Sequence, residues 1–364
     1  MHGIYLYLYS AFLLLLSIFF IALALLPRKK PDYSARSGYS PKTLVMVPCK
    51  GYDIGLSENL RAAHAQNYRN YDLVAVVDSK RDTALHDIKD TKTKFIIFNY
   101  RNRGSRKVAA LATAMRRFRN YDAYVILDSD VLVGKNWLGS LIKPLSDKRI
   151  GISTSYPVFL PVGGFWSKVK HAWGYVGQGL EEDSRTVFGW GGSLAFRRDL
   201  IGGNALSYFS NSISDDIALT RIAKGRKMKI AYVSEAEPVV RSDDNFHKFA
   251  EWSNRQTAIF VAATGNRRYG RYFAIYYGAN VLLVVSAILL GIFAGRIFLL
   301  FLMPQLIGSI KLWRRSGYKA YIFFIAFILN FIYLLNVINA AGMKRISWRG
   351  TSYDLDEIRK MRRY

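Results

Sequence analysis

Residues 4–26 form an unbroken apolar run without a charged side chain, as long as a helix must be to cross a bilayer. A secretory signal would carry basic residues before such a run and a small-residue cleavage site after it. Here the basic residues Arg28, Lys29 and Lys30 follow the run, and the positive-inside tendency places them in the cytoplasm. The sequence therefore predicts a retained transmembrane anchor over residues 1–27.

A second apolar block fills residues 272–343 and predicts C-terminal transmembrane helices. We expect spans near 273–295 and 318–342. The segment near 297–312 either forms a tight hairpin with the first span, re-enters the bilayer or lies at its surface. Three full spans would put the basic tail, residues 344–364, on the outer side, against the positive-inside tendency.

The net charge of the chain limits the classes of binding partner that we expect. There are 52 Lys and Arg against 26 Asp and Glu, a formal net charge of +26, although 51% of residues are hydrophobic. This combination is typical of a nucleic-acid binder or of a protein on an anionic membrane. The basic, aromatic segment 246–271 leads directly into a span, so we interpret it as an amphipathic membrane-interface segment and expect no nucleic acid. Segment 159–177 is either a similar interface helix or a partly buried helix of the soluble domain. The single cysteine, Cys49, excludes an intramolecular disulfide framework.

Residues 40–245 predict a cytoplasmic α/β domain. Apolar runs rich in strand-forming residues alternate with helical patterns, which is typical of a parallel sheet covered on both faces. The predicted strands are 43–49, 71–78, 94–99 and 123–128, and the predicted helices are 56–66, 82–89 and 107–118. Ligands of such open sheets bind beyond the carboxyl ends of the strands.

Charged residues follow several of these strands. Asp78 ends the second strand, Asp128 and Asp130 follow the fourth, and Arg106 and Lys107 open the helix after the third. Each motif alone is also explained by an ordinary capped turn. Together they favour a divalent metal that holds a phosphate-bearing ligand. Oxygen ligands without a His or Cys cluster favour Mg²⁺ or Mn²⁺ over structural zinc.

Two later stretches add candidates. In 187–200, Gly191 and Gly192 beside Trp190 allow either close approach of a ligand or a tight turn into a strand. Asp215 and Asp216 precede an amphipathic helix, where one acidic residue is explained by stabilisation of the helix N-terminus. Two adjacent aspartates leave room for one of them to be a general base.

The ordered motifs resemble the membrane-bound inverting GT-A glycosyltransferases of family 2, most closely the ceramide glucosyltransferase-like branch. The similarity rests on Asp78, "DSD" at 128–130, "GWGGSLAFRRD" at 189–199, "SDDIALT" at 214–220, "WSNRQ" at 252–256 and "ISWRGTSY" at 346–353, together with the apolar ends. It implies a GT-A (Rossmann-like) nucleotide-sugar-binding domain on an α-helical membrane domain.

The resemblance assigns the donor site residue by residue. Asp78 and Lys107 correspond to nucleotide-sugar contacts, Asp130 to the principal metal ligand and Asp128 to its support. Arg255 corresponds to a diphosphate contact, although "WSNRQ" departs from the family pattern, in which Arg-Trp follows Gln or Arg and two variable residues. A helix-surface salt bridge is the alternative for Arg255.

The resemblance also assigns the chemistry of transfer. Asp216 corresponds to the catalytic base, and Asp215 stands where the family often has Glu. We expect Trp190, Gly191 and Gly192 to contact the acceptor.

The predicted activity is metal-assisted transfer of a hexose from a UDP- or GDP-sugar to a lipid, with inversion in a single displacement. A polyprenyl-phosphate sugar synthase and a small polysaccharide synthase are the alternatives. A non-enzymatic membrane scaffold is disfavoured because all four of the expected aspartates, at 78, 128, 130 and 216, are present.

Overall fold

The computed structural model describes residues 2–30, 33–36, 38–99, 104–264, 267–360 and 364. The chain divides into two compact units, each built from three separate segments. We call them the helical unit (Met1–Pro27, Gly163–Tyr175 and Asp244–Lys344) and the sheet unit (Arg28–Val162, Val176–Asp243 and Arg345–Tyr364).

The strands all lie in the sheet unit. In chain order they are β1 Thr43–Pro48, β2 Tyr71–Val77, β3 Lys94–Ile97, β4 Ala123–Leu127, β5 Val131–Leu132, β6 Ile150–Thr154, β7 Val158–Pro161, β8 Ser193–Arg197, β9 Lys229–Tyr232, β10 Val239–Ser242, β11 Arg345–Trp348 and β12 Thr351–Asp354. The four predicted strands are confirmed as β1 to β4.

The main sheet has the order β3-β2-β1-β4-β8-β6-β9. All of its strands run in one direction except β8, which is antiparallel to both β4 and β6. The parallel arrangement predicted for the first four strands is confirmed, and β8, for which no direction was predicted, makes the whole sheet mixed. Two smaller sheets follow the orders β5-β10-β7 and β11-β12.

The helices alternate with the first strands and then dominate the helical unit. They are α1 His2–Leu25, α2 Leu56–His64, α3 Ala84–Asp90, α4 Arg106–Arg117, α5 Trp137–Ile142, α6 Phe165–Glu181, α7 Ala205–Ser210, α8 Asp215–Gly225, α9 Phe246–Ala263, α10 Arg267–Phe293, α11 Met303–Arg315, α12 Ala320–Gly342 and α13 Leu355–Lys360. Short 3-10 helices cover Lys143–Ser146, Arg198–Ile201, Ser234–Ala236 and Arg296–Leu302. The predicted helices 56–66, 82–89 and 107–118 are confirmed as α2, α3 and α4.

The register of the central strands aligns their carboxyl ends. Thr43 at the start of β1 pairs with Tyr71 of β2 on one side and Ala123 of β4 on the other. β4 is buried along its whole length, and most of β1 and β2 is buried as well. Because each of the three strands ends after five to seven residues, the loops that follow them meet at one edge.

The helical unit contains four segments long and apolar enough to cross a membrane, judged by length and composition among the described residues. They are Ile4–Leu25, Arg268–Phe293, Arg296–Arg315 and Ala320–Gly342. The third corresponds to the predicted segment 297–312. Residues 265 and 266 of the predicted interface segment and 361–363 of the predicted tail lie outside the described residues.

Buried polar contacts join the elements of the helical unit. Asn336 of α12 accepts a hydrogen bond from Trp173 Nε1 at 3.1 Å and donates to Ser253 Oγ of α9 at 3.1 Å. His171 and Trp173 are buried in α6. This part of the predicted segment 159–177 is therefore buried, but within the helical unit and not within the α/β domain, so neither alternative is confirmed as stated.

Candidate functional site

The site lies where the strand order reverses. β2 and β3 continue the sheet on one side of β1, and β4 lies on the other, which is the position where open sheets bind ligands. The loops after β1, β2 and β4 carry Lys50, Asp53, Asp78, Asp128 and Asp130. The predicted convergence of Asp78 with Asp128 and Asp130 at one sheet edge therefore follows from the topology.

Asp78 is held by two cations. Its Oδ2 accepts a hydrogen bond from Arg106 Nη1 at 2.8 Å and lies 3.2 Å from Lys50 Nζ. Arg106 is the first residue of α4, whose N-terminus is capped by Ser105 through a 3.2 Å bond from the Val108 N–H group. The carboxylate thus lies beside a basic helix N-terminus, as predicted.

Lys107 joins the two acidic motifs. Its Nζ lies 2.7 Å from Asp128 Oδ1, 3.1 Å from Asp215 Oδ2 and 3.1 Å from the carbonyl oxygen of Gly191, to which it donates. Burial lowers the pKa of Lys107, but the carboxylates of Asp128 and Asp215 outweigh burial and hold the pKa above its ordinary value. Lys107 therefore stays charged between the motifs, which are far apart in sequence.

The two adjacent aspartates of α8 have different surroundings. Asp215 is only 3% exposed, and burial is the main reason why its pKa rises to about 7. Lys107 opposes that rise, while Asp216 and Asp128 add to it. Asp216 is partly buried, and its Oδ1 accepts hydrogen bonds from the Ile217 N–H group at 2.7 Å and from the Ser214 hydroxyl. Asp216 therefore does stabilise the helix N-terminus, while Asp215 contacts Lys107.

Asp128 and Asp130 lie in the turn between β4 and β5. The Asp128 N–H group donates to the carbonyl oxygen of Gly192 at 3.1 Å, and the Val131 N–H group donates to that of Asp128 at 3.1 Å. Burial, followed by the charges of Asp128 and Asp53, raises the pKa of Asp130 to about 6. Asp130 is thus a partly buried carboxyl in an acidic environment, which a cation would relieve.

Whether a metal ion can bind at this turn depends on the ligand atoms that the surrounding side chains offer. Among the residues that the structure describes, no three His, Cys, Asp or Glu side chains are arranged to hold a metal ion. Two carboxylates nevertheless suit Mg²⁺ or Mn²⁺ when phosphate oxygens of a substrate and water supply the remaining ligands. Asp128 and Asp130 therefore fit a metal shared with a phosphate-bearing ligand and do not form a closed protein site.

The glycines after Trp190 are required by packing against side chains. A Cβ atom on Gly191 would lie 2.3 Å from Asp215 Oδ2, and one on Gly192 would lie 2.2 Å from the Trp190 ring. The alternative of a turn into a strand is observed, since the Ser193 N–H group at the start of β8 donates to the Trp190 carbonyl oxygen at 3.2 Å, and approach of a ligand stays a prediction. The ring of Trp190 also packs against that of Tyr156, with ring centroids 5.8 Å apart.

Three residues at the site were not predicted from the sequence, namely Asp53, Glu181 and Arg349. Asp53 accepts a hydrogen bond from Ser129 Oγ at 2.6 Å and lies 2.6 Å from Arg349 Nη2. Glu181, at the end of α6, is fully buried, and burial raises its pKa well above the usual range while Asp216 adds to the rise. Arg349 lies in the motif at 346–353, but that motif gave no sign of its contact with Asp53, and Asp53 and Glu181 lie in no quoted motif, so only the fold shows these contacts.

Arg255 belongs to the helical unit, in α9. It forms an ion pair of 3.8 Å with Glu251 one turn earlier, as the salt-bridge alternative predicted. A contact with diphosphate stays a prediction for this residue.

Comparison with known proteins identifies the family. The sequence profile described as glycosyl transferase family 21 matches residues 9–361, nearly the whole chain. The chain belongs to glycosyl transferase family 21. The predicted glycosyltransferase is confirmed, and the sheet unit has the α/β architecture that was expected. No protein with a curated description matches the chain.

Solved structures resemble this family 21 glycosyltransferase at low identity. A mannosyltransferase from Pyrobaculum calidifontis, in complex with GDP-Man and Mn²⁺, is 19% identical over 68% of this chain and 73% of its own, with a TM-score of 0.48. Glucosyl-3-phosphoglycerate synthase from Mycobacterium tuberculosis, in complex with Mn²⁺ and UDP-glucose, is 16% identical over 65% of this chain and 87% of its own, with a TM-score of 0.43.

Proposed function

We propose that this glycosyltransferase moves a hexose from a nucleotide sugar to a lipid acceptor in an inverting single displacement. The observation that carries the proposal is the position of Lys107 between Asp128 and Asp215. It brings the acidic turn after β4 and the acidic start of α8 to one charged centre. Transfer needs both a site for the leaving diphosphate and a base for the acceptor hydroxyl, and these two motifs supply carboxylates for each.

The donor is a UDP- or GDP-sugar in this proposal. Asp78 contacts the nucleoside, in exchange for one of its contacts with Lys50 and Arg106. Lys107 provides positive charge beside the diphosphate, and Arg255 is retained as a further diphosphate contact. The net charge of the whole chain, +26, also favours binding of an anionic donor.

Asp130, supported by Asp128, would hold Mg²⁺ or Mn²⁺ together with the diphosphate. A divalent ion bound there acts as a Lewis acid that stabilises the charge of the leaving group. The partly buried position of Asp130, beside the charges of Asp128 and Asp53, supports this assignment, because a cation offsets the repulsion among the three carboxylates.

Asp216 is the proposed base, on the resemblance that assigns it this role, and the bond from the Ile217 N–H group to its Oδ1 holds the carboxylate in place. The acceptor hydroxyl gives its proton to this carboxylate while its oxygen bonds to the anomeric carbon. The bond from that carbon to the diphosphate oxygen breaks, and the diphosphate leaves with the electron pair. One base with no second nucleophile gives inversion. Asp215 positions Lys107 in this scheme, as their 3.1 Å contact suggests.

A lipid acceptor is supported by the four apolar helices of the helical unit. The basic residues after the first of them favour a catalytic domain on the cytoplasmic side. Trp190, Gly191 and Gly192 are proposed for the acceptor side, because the glycine carbonyls contact Lys107 and Asp128. Within the family we favour the ceramide glucosyltransferase-like branch on its C-terminal motif "ISWRGTSY".

The test is to incubate the purified chain with Mn²⁺, a panel of labelled nucleotide sugars and a membrane lipid extract, and to identify labelled products by mass. We expect one labelled glycolipid that is absent with Asp216→Asn. Label on a polyprenyl phosphate would favour the alternative synthase. A labelled polymer, or no transfer from any donor, would contradict the proposal.

A further inference from the structure

The C-terminal hairpin of the sheet unit turns at Arg349 and Gly350. β11 and β12 pair from Arg345 with Asp354 to Trp348 with Thr351, which leaves these two residues as the tip. Both have left-handed backbone conformations, with φ of 47° and 75°. Two-residue hairpin turns of this kind favour Asn-Gly or Asp-Gly, whereas arginine is uncommon at positive φ. The arginine at this position therefore needs a reason beyond the turn.

The contacts of Arg349 supply that reason. Its Nη2 lies 2.6 Å from Asp53 Oδ1, and its Nη1 donates to the carbonyl oxygen of Lys50. Asp53 Oδ2 accepts from Ser129 Oγ at 2.6 Å, and Ser129 lies between the two aspartates of the acidic turn. Arg349 is thus linked through one carboxylate to the turn that would hold the metal. Its charge also lowers the pKa of Asp130, against the stronger effect of burial.

The rest of the hairpin contacts the opposite side of the same crevice. The Trp348 ring centroid lies 5.9 Å from Lys107 Nζ. Tyr353 Oη accepts a hydrogen bond from the Arg106 N–H group, at the N-terminus of α4, at 3.3 Å. Three hairpin side chains therefore contact the loop after β1 and the start of α4, the two elements that also hold Asp78.

We propose that Arg349 is a diphosphate-binding residue of the donor site, which exchanges its ion pair with Asp53 for the diphosphate when the donor binds. This inference rests on the proposed nucleotide-sugar donor. A guanidinium fork suits phosphate oxygens, and toward the described residues Arg349 uses only two of its five N–H groups in the bonds above. The ion pair with Asp53 holds the fork beside the acidic turn before the donor arrives.

The test uses Arg349→Asn, because Asn suits a turn residue at positive φ and removes only the fork. Isothermal titration of the full chain in detergent, with UDP and GDP in the presence of Mn²⁺, measures the dissociation constant. We expect wild type to bind one nucleotide and Arg349→Asn to bind it about 10- to 100-fold more weakly, the usual range for charge-assisted hydrogen bonds. Arg345→Asn, an exposed arginine of the same hairpin, should stay within about twofold because it contacts no part of the crevice among the described residues.

A double variant separates ligand binding from hairpin stability. Asp53→Asn with Arg349→Asn removes the carboxylate that the single variant leaves unpaired. We expect the double variant to recover the melting temperature but not the affinity. Recovered affinity would overturn the inference, because the unpaired Asp53 would then explain the loss. Unchanged affinity in Arg349→Asn would overturn it while leaving the proposed function intact. If wild type binds neither nucleotide, both proposals fail.

Discussion

Replacing Lys107 by methionine tests the central ion cluster most severely. The substitution keeps most of the side-chain volume and removes the charge 2.7 Å from Asp128 and 3.1 Å from Asp215. Asp128 is 28% exposed along its side chain and can be hydrated, but Asp215 is 4% exposed and cannot. Breaking a buried ion pair costs about 3–5 kcal/mol, and we assign most of this cost to Asp215.

The loss should depend on pH. Without Lys107, the pKa of Asp215 in the folded protein rises further above its unfolded value of 3.8. A carboxyl with a raised folded pKa contributes stability below its unfolded pKa and loses it as the pH rises through the folded pKa. Lys107→Met should therefore lose more stability at pH 8 than at pH 5.5, where Asp215 is protonated.

Thermal unfolding of the full chain in detergent, followed by tryptophan fluorescence, measures this loss. At about 2–4 °C per kcal/mol for a unit of this size, 3–5 kcal/mol corresponds to a midpoint about 6–20 °C lower at pH 8. Lys94→Met is the control, because Lys94 is 82% exposed and lies 3.7 Å from Asp72. It should cost about 1 kcal/mol or less. Equal losses in the two variants, or a loss independent of pH, would refute the cluster.

Three further predictions concern packing, metal and stereochemistry. Gly191→Ala brings a Cβ to 2.3 Å from Asp215 Oδ2 and should destabilise the protein by about 1–3 kcal/mol, whereas Gly134→Ala has no neighbour within 4 Å and should leave the melting curve unchanged. Because burial and nearby carboxylates raise the pKa of Asp130 to about 6, the Mn²⁺ concentration for half-maximal activity should rise as the pH falls below that value. A constant value from about pH 5 to 7.5 would contradict that role. Proton NMR of the product should show the anomeric configuration opposite to that of the donor, and retention would exclude a single displacement.

The parallel half of the sheet was predictable because its signal is local. The apolar runs ending at Pro48, Val77 and Leu127 are buried strands, and their periodicity is visible in the sequence. The direction of β8 was not predictable, since a five-residue apolar strand is the same in either orientation. Its antiparallel pairing with β4, from Ala123 with Arg197 to Leu127 with Ser193, is visible only in the fold.

The acidic motifs could be predicted as candidate site residues, but the side-chain contacts that join them could not. Asp128, Asp215 and Lys107 were all candidates by residue type and position, whereas the contact of Lys107 with both aspartates is visible only in the fold. The contact between Asp53 and Arg349 joins residues 296 positions apart, and no local pattern announces it. Roles that depend on such distant pairs need the tertiary structure.

Asp130 is assigned to metal-dependent donor binding and Asp216 to proton removal, and one paired measurement tests this assignment. The dissociation constant of the donor with Mn²⁺ and the transfer rate are measured in parallel for Asp130→Asn and Asp216→Asn. We predict that Asp130→Asn weakens metal-dependent donor binding by about tenfold or more. Asp216→Asn should bind the donor as wild type does and lose transfer by about 100-fold or more. Undiminished transfer by Asp216→Asn, or unchanged donor binding by Asp130→Asn, would contradict the account.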